Sequence, residues 1–337
     1  MANNSLSIIR LQFTTPLHIG NERSDYGTGS AFMHSDSLTA AIFYAWAQLG
    51  QTDWIPKTVE DSYGFCMSSL FPYTTSETKH VYFFPRPMVS FKNEEIHETI
   101  LRKKLKKIKY VDKAIFVKML NGEGTPADEK GLQGIFRSLD PLTQTIVQSQ
   151  VVPRVSVSRT GLEDTTIFYM ERHYFTEGSG LYCLLQYENE EIENRVKIAF
   201  RYLGEEGIGT DRNIGNGKFI PSFGESLTFN VETRRGLGVN LGLYCPGNKD
   251  ELASMITDKE TGYDFIKRGG WLSEPYNTWR KKNVYMLSEG SIFSLPPIHA
   301  SNRFPVLGKL VNLQPTEEPA VLEHPVWRSG KSLFVPF

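Results

Sequence analysis

At 337 residues the chain has room for about two domains, and 40% hydrophobic with 22% charged residues is ample for real cores. Lys plus Arg number 37 against 38 Asp plus Glu. The formal net charge of −1 excludes attachment to nucleic acid or membrane by global positive charge and leaves local basic patches open. Cys66, Cys183 and Cys245 are scattered and form no CxxC pair, so no zinc knuckle or disulfide framework is supported. The start lacks the basic and apolar regions of a signal peptide. The longest strongly apolar run, Ala40 to Ala47, is far short of a membrane span. The expectation is a soluble, cytoplasmic chain with no membrane partner.

Ser7 to Phe13 alternates, with Ile9, Leu11 and Phe13 on one side and Arg10 and Gln12 on the other, which predicts a half-buried strand. A polar, glycine-bearing loop follows to about Ala31. Ser35 and Asp36 are both good N-caps, and Leu38, Ala41, Ile42, Ala45 and Leu49 hold one helical face that Gly50 closes. Asp36 before that face reads as the cap rather than as a catalytic aspartate. Strands are expected near Val81 to Phe84 and Ile167 to Phe175. Between them lies an insert, about 89–160, that opens on a basic helical stretch, Leu101 to Lys118. Eight Lys and Arg there oppose only Asp112, giving 8 − 1 = +7. Such a run fits a solvated helix face or, more strongly, a nucleic-acid contact.

Leu181 to Tyr187 predicts a strand, and Ile192, Val196, Ala199, Phe200 and Leu203 a helix closed by Gly204. Lys218 to Ile220 then starts another strand. The order strand, helix, strand, insert, strand, helix, glycine loop, strand over residues 1–222 is a split βαβ, ferredoxin-like pattern. Residues 223–337 repeat it more weakly. Strands are expected at Asn240 to Cys245, Asn283 to Leu287, Lys309 to Leu313 and Ser332 to Phe337, and a helix at Lys249 to Ile256.

The segment 204–217 holds five glycines: Gly204, Gly207, Gly209, Gly215 and Gly217. It follows a helix and enters a strand, the reverse of a dinucleotide-binding turn, and position 212 is Arg where the third glycine would stand. Gly217-Lys218 precedes Phe219, where a P-loop needs Ser or Thr. The acidic and glycine spacing of a calcium loop is also missing. Read alone, the segment is as well a plain connection as a ligand loop. With Arg212, Asn213 and Lys218 beside the glycines, it favours contact with a phosphate backbone.

Gly207-Ile-Gly209 through Gly215-Asn-Gly217-Lys-Phe resembles the glycine-rich loop of the RAMP superfamily of CRISPR-associated RNA-binding proteins. Phe13-Thr-Thr-Pro-Leu-His18-Ile-Gly20 with Met33-His34-Ser35-Asp36-Ser-Leu38 is similar to the N-terminal pattern of the fourth-subunit family of type III-A Csm effector complexes. Pro153-Arg154-Val-Ser-Val-Ser-Arg159-Thr-Gly161 resembles the end of that family's thumb, and His324-Pro-Val-Trp-Arg328-Ser-Gly-Lys331 its C-terminal signature. The resemblance implies an α+β fold of tandem ferredoxin-like (RRM-like) RAMP domains, 1–222 and 223–337, the first carrying the thumb. It implies a non-enzymatic subunit without cofactor or metal. Such a subunit holds the 5′ handle of the CRISPR RNA, docks the large subunit with polymerase and nuclease domains, and abuts the first backbone RAMP subunit.

The RNA-binding candidates are His18, Gly20, His34, Ser35, Arg154, Arg159, Gly207, Gly209, Arg212, Asn213, Gly215, Gly217, Lys218 and Arg328. Arg154 and Arg159, five apart on an extended stretch, face opposite sides. His18 and His34 have a second reading, as general acid or base in a metal-independent endoribonuclease that matures CRISPR RNA. Turn, capping and plain RNA-contact roles compete with it.

Overall fold

The computed structural model describes residues 5–22, 25–76, 79–89, 99–123, 129–157, 165–231, 236–273, 275–296, 304–316 and 322–337. Its centre is a nine-stranded sheet. From one edge the strands run Phe219–Thr228, Ser5–Phe13, Gly180–Tyr187, Phe71–Ser76, Lys79–Pro85, Tyr110–Asp112, Phe136–Arg137 and Leu132–Gln133, with Phe65–Met67 also paired to Gly180–Tyr187. All pairings are antiparallel except Tyr110–Asp112 with Phe136–Arg137.

Among the described residues five α-helices accompany it: α1 (Ser35–Gln48), α2 (Thr99–Lys106), α3 (Lys113–Leu120), α4 (Glu190–Glu206) and α5 (Lys249–Met255). Ile9, Leu11, Leu181 and Cys183 pack one sheet face onto Leu38, Ile42 and Trp46 of α1 and Val196, Phe200 and Leu203 of α4. The other face, Leu6, Ile8, Tyr182 and Leu184, meets Ile115, Phe116 and Met119 of α3. It also meets Leu237, Val239, Leu333 and Val335 from the second sheet, ordered Ile292–Ser294, Leu237–Asn240, Ser332–Pro336, Val306–Leu307. The first strand, expected to be half-buried, is therefore covered on both faces at Ile8 and Ile9, because the C-terminal residues lie across the sheet.

Several sequence boundaries shift. Ser35 and Asp36 do not cap α1; His34 does, with φ −71° and ψ 152°, because the two polar side chains are turned into the C-terminal half. Leu101 to Lys118 is not one helix. Asp112 caps α3 by accepting from the Ile115 N–H, and Tyr110–Asp112 joins the sheet beside Lys79–Pro85, so the run divides into α2, a strand and α3. Gly204 lies inside α4, packed against the Phe219 carbonyl, and the helix ends at Gly207. The expected strand from Asn240 to Cys245 ends at Asn240.

The two strands Val147–Ser156 and Thr166–Phe175 pair through ten residues and stand off the main sheet. Val151, Val155, Ile167 and Tyr169 are exposed on them. Their root is tied to the segment after the first strand, where the Leu17 N–H donates to the His173 carbonyl at 2.9 Å and the His173 N–H returns to Leu17 at 2.8 Å. Cys66, Cys183 and Cys245 are free and buried, each in a different layer. Among the described residues no helix is long and apolar enough to cross a membrane.

Candidate nucleic-acid interface

The glycine loop is clasped by the segment after the first strand. Thr14 N–H donates to the Lys218 carbonyl at 2.9 Å, Gly217 N–H to Pro16 at 2.8 Å and Thr210 N–H to His18 at 3.0 Å. Lys218 N–H donates to Thr15 Oγ1 at 2.8 Å, and Gly20 N–H to Thr210 Oγ1 at 3.3 Å. The loop closes on itself where Ile208 N–H meets the Gly217 carbonyl at 3.0 Å. Gly217, at φ +75°, has no space for a side chain because a Cβ would run into the Ile208 carbonyl. Gly209 lies as closely against the His18 carbonyl and Gly207 against Asn216. Most candidate glycines therefore shape the loop.

What reaches solvent is its crest. Thr210, Asn213 and Ile214 are exposed, Arg212 and Lys218 are half-buried, and Gly215 (φ +86°) faces open space. Arg212 lies 4.5 Å over the Tyr44 ring on α1, a cation–π contact that holds the guanidinium at the surface. Beneath the crest, Asp211 accepts from Asn216 Nδ2 at 2.7 Å, Arg154 Nη1 at 2.7 Å and Arg172 Nη2 at 3.2 Å. Arg154 is thus drawn inward from the hairpin. Arg159 lies outside the described residues.

His18 is 1% exposed. Its Nδ1 donates to the Glu171 carbonyl at 2.6 Å, which pins the ring between loop and hairpin. Ser35, also 1% exposed, accepts from the Leu243 N–H at 2.8 Å. His34, Ser35 and Arg328 belong to a second charged group at the N-terminus of α1. There the fully buried Asp36 takes a bidentate pair from Arg268, at 2.9 and 3.0 Å, and Arg328 Nε at 3.4 Å. Burial opposes its charge, but the two guanidiniums hold the carboxyl below the usual carboxylate range. His34 Nδ1 bonds Glu289 at 2.8 Å. Burial works against the charged ring; Glu289 overcomes it and raises the pKa.

The structure therefore brings the candidates together in two places along α1: the loop crest by Tyr44, and the charge cluster by Asp36. Asp211, Arg172, Arg268, Lys281 and Glu289 escaped the sequence reading. The ion-pair partners of Asp211, Arg172, Arg268 and Glu289 are far away in the chain, and no local spacing marks these residues. Among the described residues no three His, Cys, Asp or Glu side chains are grouped to hold a metal ion.

The architecture is similar to that of solved subunits of type III CRISPR effectors. A chain of the Csm3–Csm4 subcomplex in the type III-A CRISPR-Cas interference complex superimposes with a TM-score of 0.64 at 18% identity, covering 98% of this chain and 99% of that one. A chain of the Csm1–Csm4 cassette in complex with pppApA gives 0.58 at 19% identity, with 98% and 97% covered. Residues 236–337 match the CRISPR Csm4 C-terminal domain. The protein named CRISPR system Cms protein Csm4 from Methanocaldococcus jannaschii is 24% identical over 382 residues, spanning 94% of this chain and 95% of its own. Its counterpart from Thermococcus onnurineus is 25% identical over 280 residues, 78% of this chain and 82% of its own. The chain is thus similar to Csm4 proteins over most of its length, in agreement with the resemblance read from the sequence motifs.

Proposed function

We propose that the chain is the non-catalytic, RNA-holding subunit of a type III effector, seated on the 5′ handle of the CRISPR RNA. In this reading it docks the large polymerase-domain subunit on one side and the first backbone RAMP subunit on another. The solved complexes of Csm4 with Csm1 and with Csm3 support those two partners. The strand order Phe219–Thr228, Ser5–Phe13, Gly180–Tyr187, Phe71–Ser76, with α1 and α4 on one face, supports a ferredoxin-like unit that covers 1–222 and the remainder of its edge strand to Thr228. The rest of 223–337 is the second unit of the tandem, and the insert 89–160 with its return strand is the thumb.

The observation that carries the reading is the loop crest. Arg212, Asn213, Gly215 and Lys218 are presented to solvent on a rigidly closed loop at the root of a protruding hairpin. Cations and a side-chain amide held this way suit phosphate oxygens. The test is binding of single-stranded handle RNA across a salt series. Each neutralised phosphate contributes a log–log slope of about −0.7. Replacing Arg212 and Lys218 together by Ala weakens binding and makes the slope less negative by about 1.4. An unchanged slope overturns the assignment of this loop.

The endoribonuclease reading finds little support in the geometry. The His18 ring is enclosed and spends Nδ1 on a carbonyl, and His34 is held by Glu289. A general base must reach the proton it takes. Repeat RNA incubated with the chain in excess EDTA stays intact. Cleavage that vanishes in His18→Ala or His34→Ala would reverse the conclusion.

A further inference from the structure

The outer face of α1 carries a cation at each end. Arg268 Nη2 donates to Ser37 Oγ at 2.8 Å, and Arg212 lies over Tyr44. Ser37 and Tyr44 are seven positions apart, hence on one stripe of the helix and about 10.5 Å apart along its axis. Ala40 and Ala41 lie between them on the same side, half-buried and small. Between the two cations the face therefore carries small apolar side chains.

At the Ser37 end the charges do not balance. Arg268 and Arg328 share the one carboxylate of Asp36. The next carboxylate, Glu289, is taken by His34 and Ser69. Lys281 is brought alongside by the Lys281 N–H bond to the Gly270 carbonyl, two residues beyond Arg268. Its ammonium has no ion-pair partner among the described residues. Burial, and then Arg328, lower the Lys281 pKa to about 8 against the opposing pull of Asp36. The positive end of the α1 dipole adds to the excess. Arg268 and Arg328 keep 22% and 15% of their side chains exposed, so the cluster opens to solvent.

We infer that Arg268, Lys281 and Arg328 form a pocket for one backbone phosphate of single-stranded RNA, with the strand continuing along α1 to Arg212. Two guanidiniums anchored on a buried Asp, with an ammonium beside them, offer charged donors to the oxygens of a phosphate. Ala40 and Ala41 leave no bulky side chain between the two cations. The inference rests on the RNA reading above and adds residues and a direction to it.

The test uses the full chain and a fluorescein-labelled single-stranded RNA octamer, with Kd measured over a salt series. Lys281→Gln is expected to weaken binding several-fold at low salt and make the log–log slope less negative by about 0.7. Lys281→Arg is expected to retain both. Wild-type affinity and slope in Lys281→Gln overturn the pocket while the loop-crest reading stands on its own variant. Equal losses in Lys281→Gln and Lys281→Arg also overturn it, since packing rather than charge would then be responsible. Wild-type protein without salt-dependent binding overturns the pocket and the RNA reading together. Thermal melts confirm that each variant is folded.

Discussion

Asp211 of the glycine loop binds Arg154 of the protruding hairpin at 2.7 Å, with only 8% of the carboxylate side chain exposed. One carboxylate thus sets the angle between loop and hairpin, since Arg172 from the opposite hairpin strand reaches its other oxygen. Removing it leaves two guanidiniums without their counter-charge. Asp211→Ala is expected to lose about 3 kcal/mol of stability, read by chemical denaturation. Faster amide exchange in 147–156 and 166–175 is expected to accompany that loss. A uniform increase across the chain would contradict a hinge role.

Gly215 and Gly217 lie two residues apart, both at positive φ, with opposite surroundings. An Ala at 215 meets only the left-handed backbone penalty, about 1 kcal/mol. At 217 the added methyl strikes the Ile208 carbonyl and forces the loop open, which is expected to cost about 3 kcal/mol or more. Melting both single variants ranks them; equal effects would mean that the loop is not closed as described.

The His34–Glu289 pair links α1 to the C-terminal half and titrates. The ring's pKa is raised above 6.5, so its stabilisation is complete below that value and fades as pH climbs through the raised one. Glu289 is held below 4.5, so its share is present above that value and fades as pH falls through the lowered one. The difference in melting temperature between wild type and His34→Gln should therefore be widest near pH 5.5 and shrink by pH 8. A difference that does not vary with pH would dismiss the ion pair.

Lys281 predicts a trade between stability and binding. Folding lowers its pKa to about 8 from 10.5, so the unfolded chain holds the extra proton between those values and stability rises with pH across that window. Lys281→Met is expected to melt higher than wild type at pH 7 and to lose that advantage by pH 10. A lower melting temperature at pH 7 would show that the ammonium has a counter-charge after all.

Local pattern was legible wherever one surface had to face a core. The α1 stripe and the strands at 5–13, 79–85, 166–175 and 180–187 could be read from their apolar spacing. Phe71–Ser76 was missed, since Pro72 interrupts a short run that carries little periodicity of its own. The basic run misled because apolar residues keep helical spacing straight through Asp112, whose capping side chain divides it. The glycine loop announced itself by composition. The second cluster could not, because Arg268 and Asp36 are 232 residues apart in sequence and are joined only by the fold.

The three cysteines supply an internal clock. Burial pushes the Cys66 thiol up to about 12 and raises Cys183 and Cys245 as well, so thiolate is scarce while the chain stays folded. Cys183 belongs to the layer beneath α1 and α4, Cys66 to the layer facing the second sheet, and Cys245 to a small C-terminal cluster with Leu243 and Met286. Alkylation rates resolved by residue therefore time the opening of each layer. Three matched rates would mark a single cooperative body; an early Cys245 would mark a C-terminal half that loosens first.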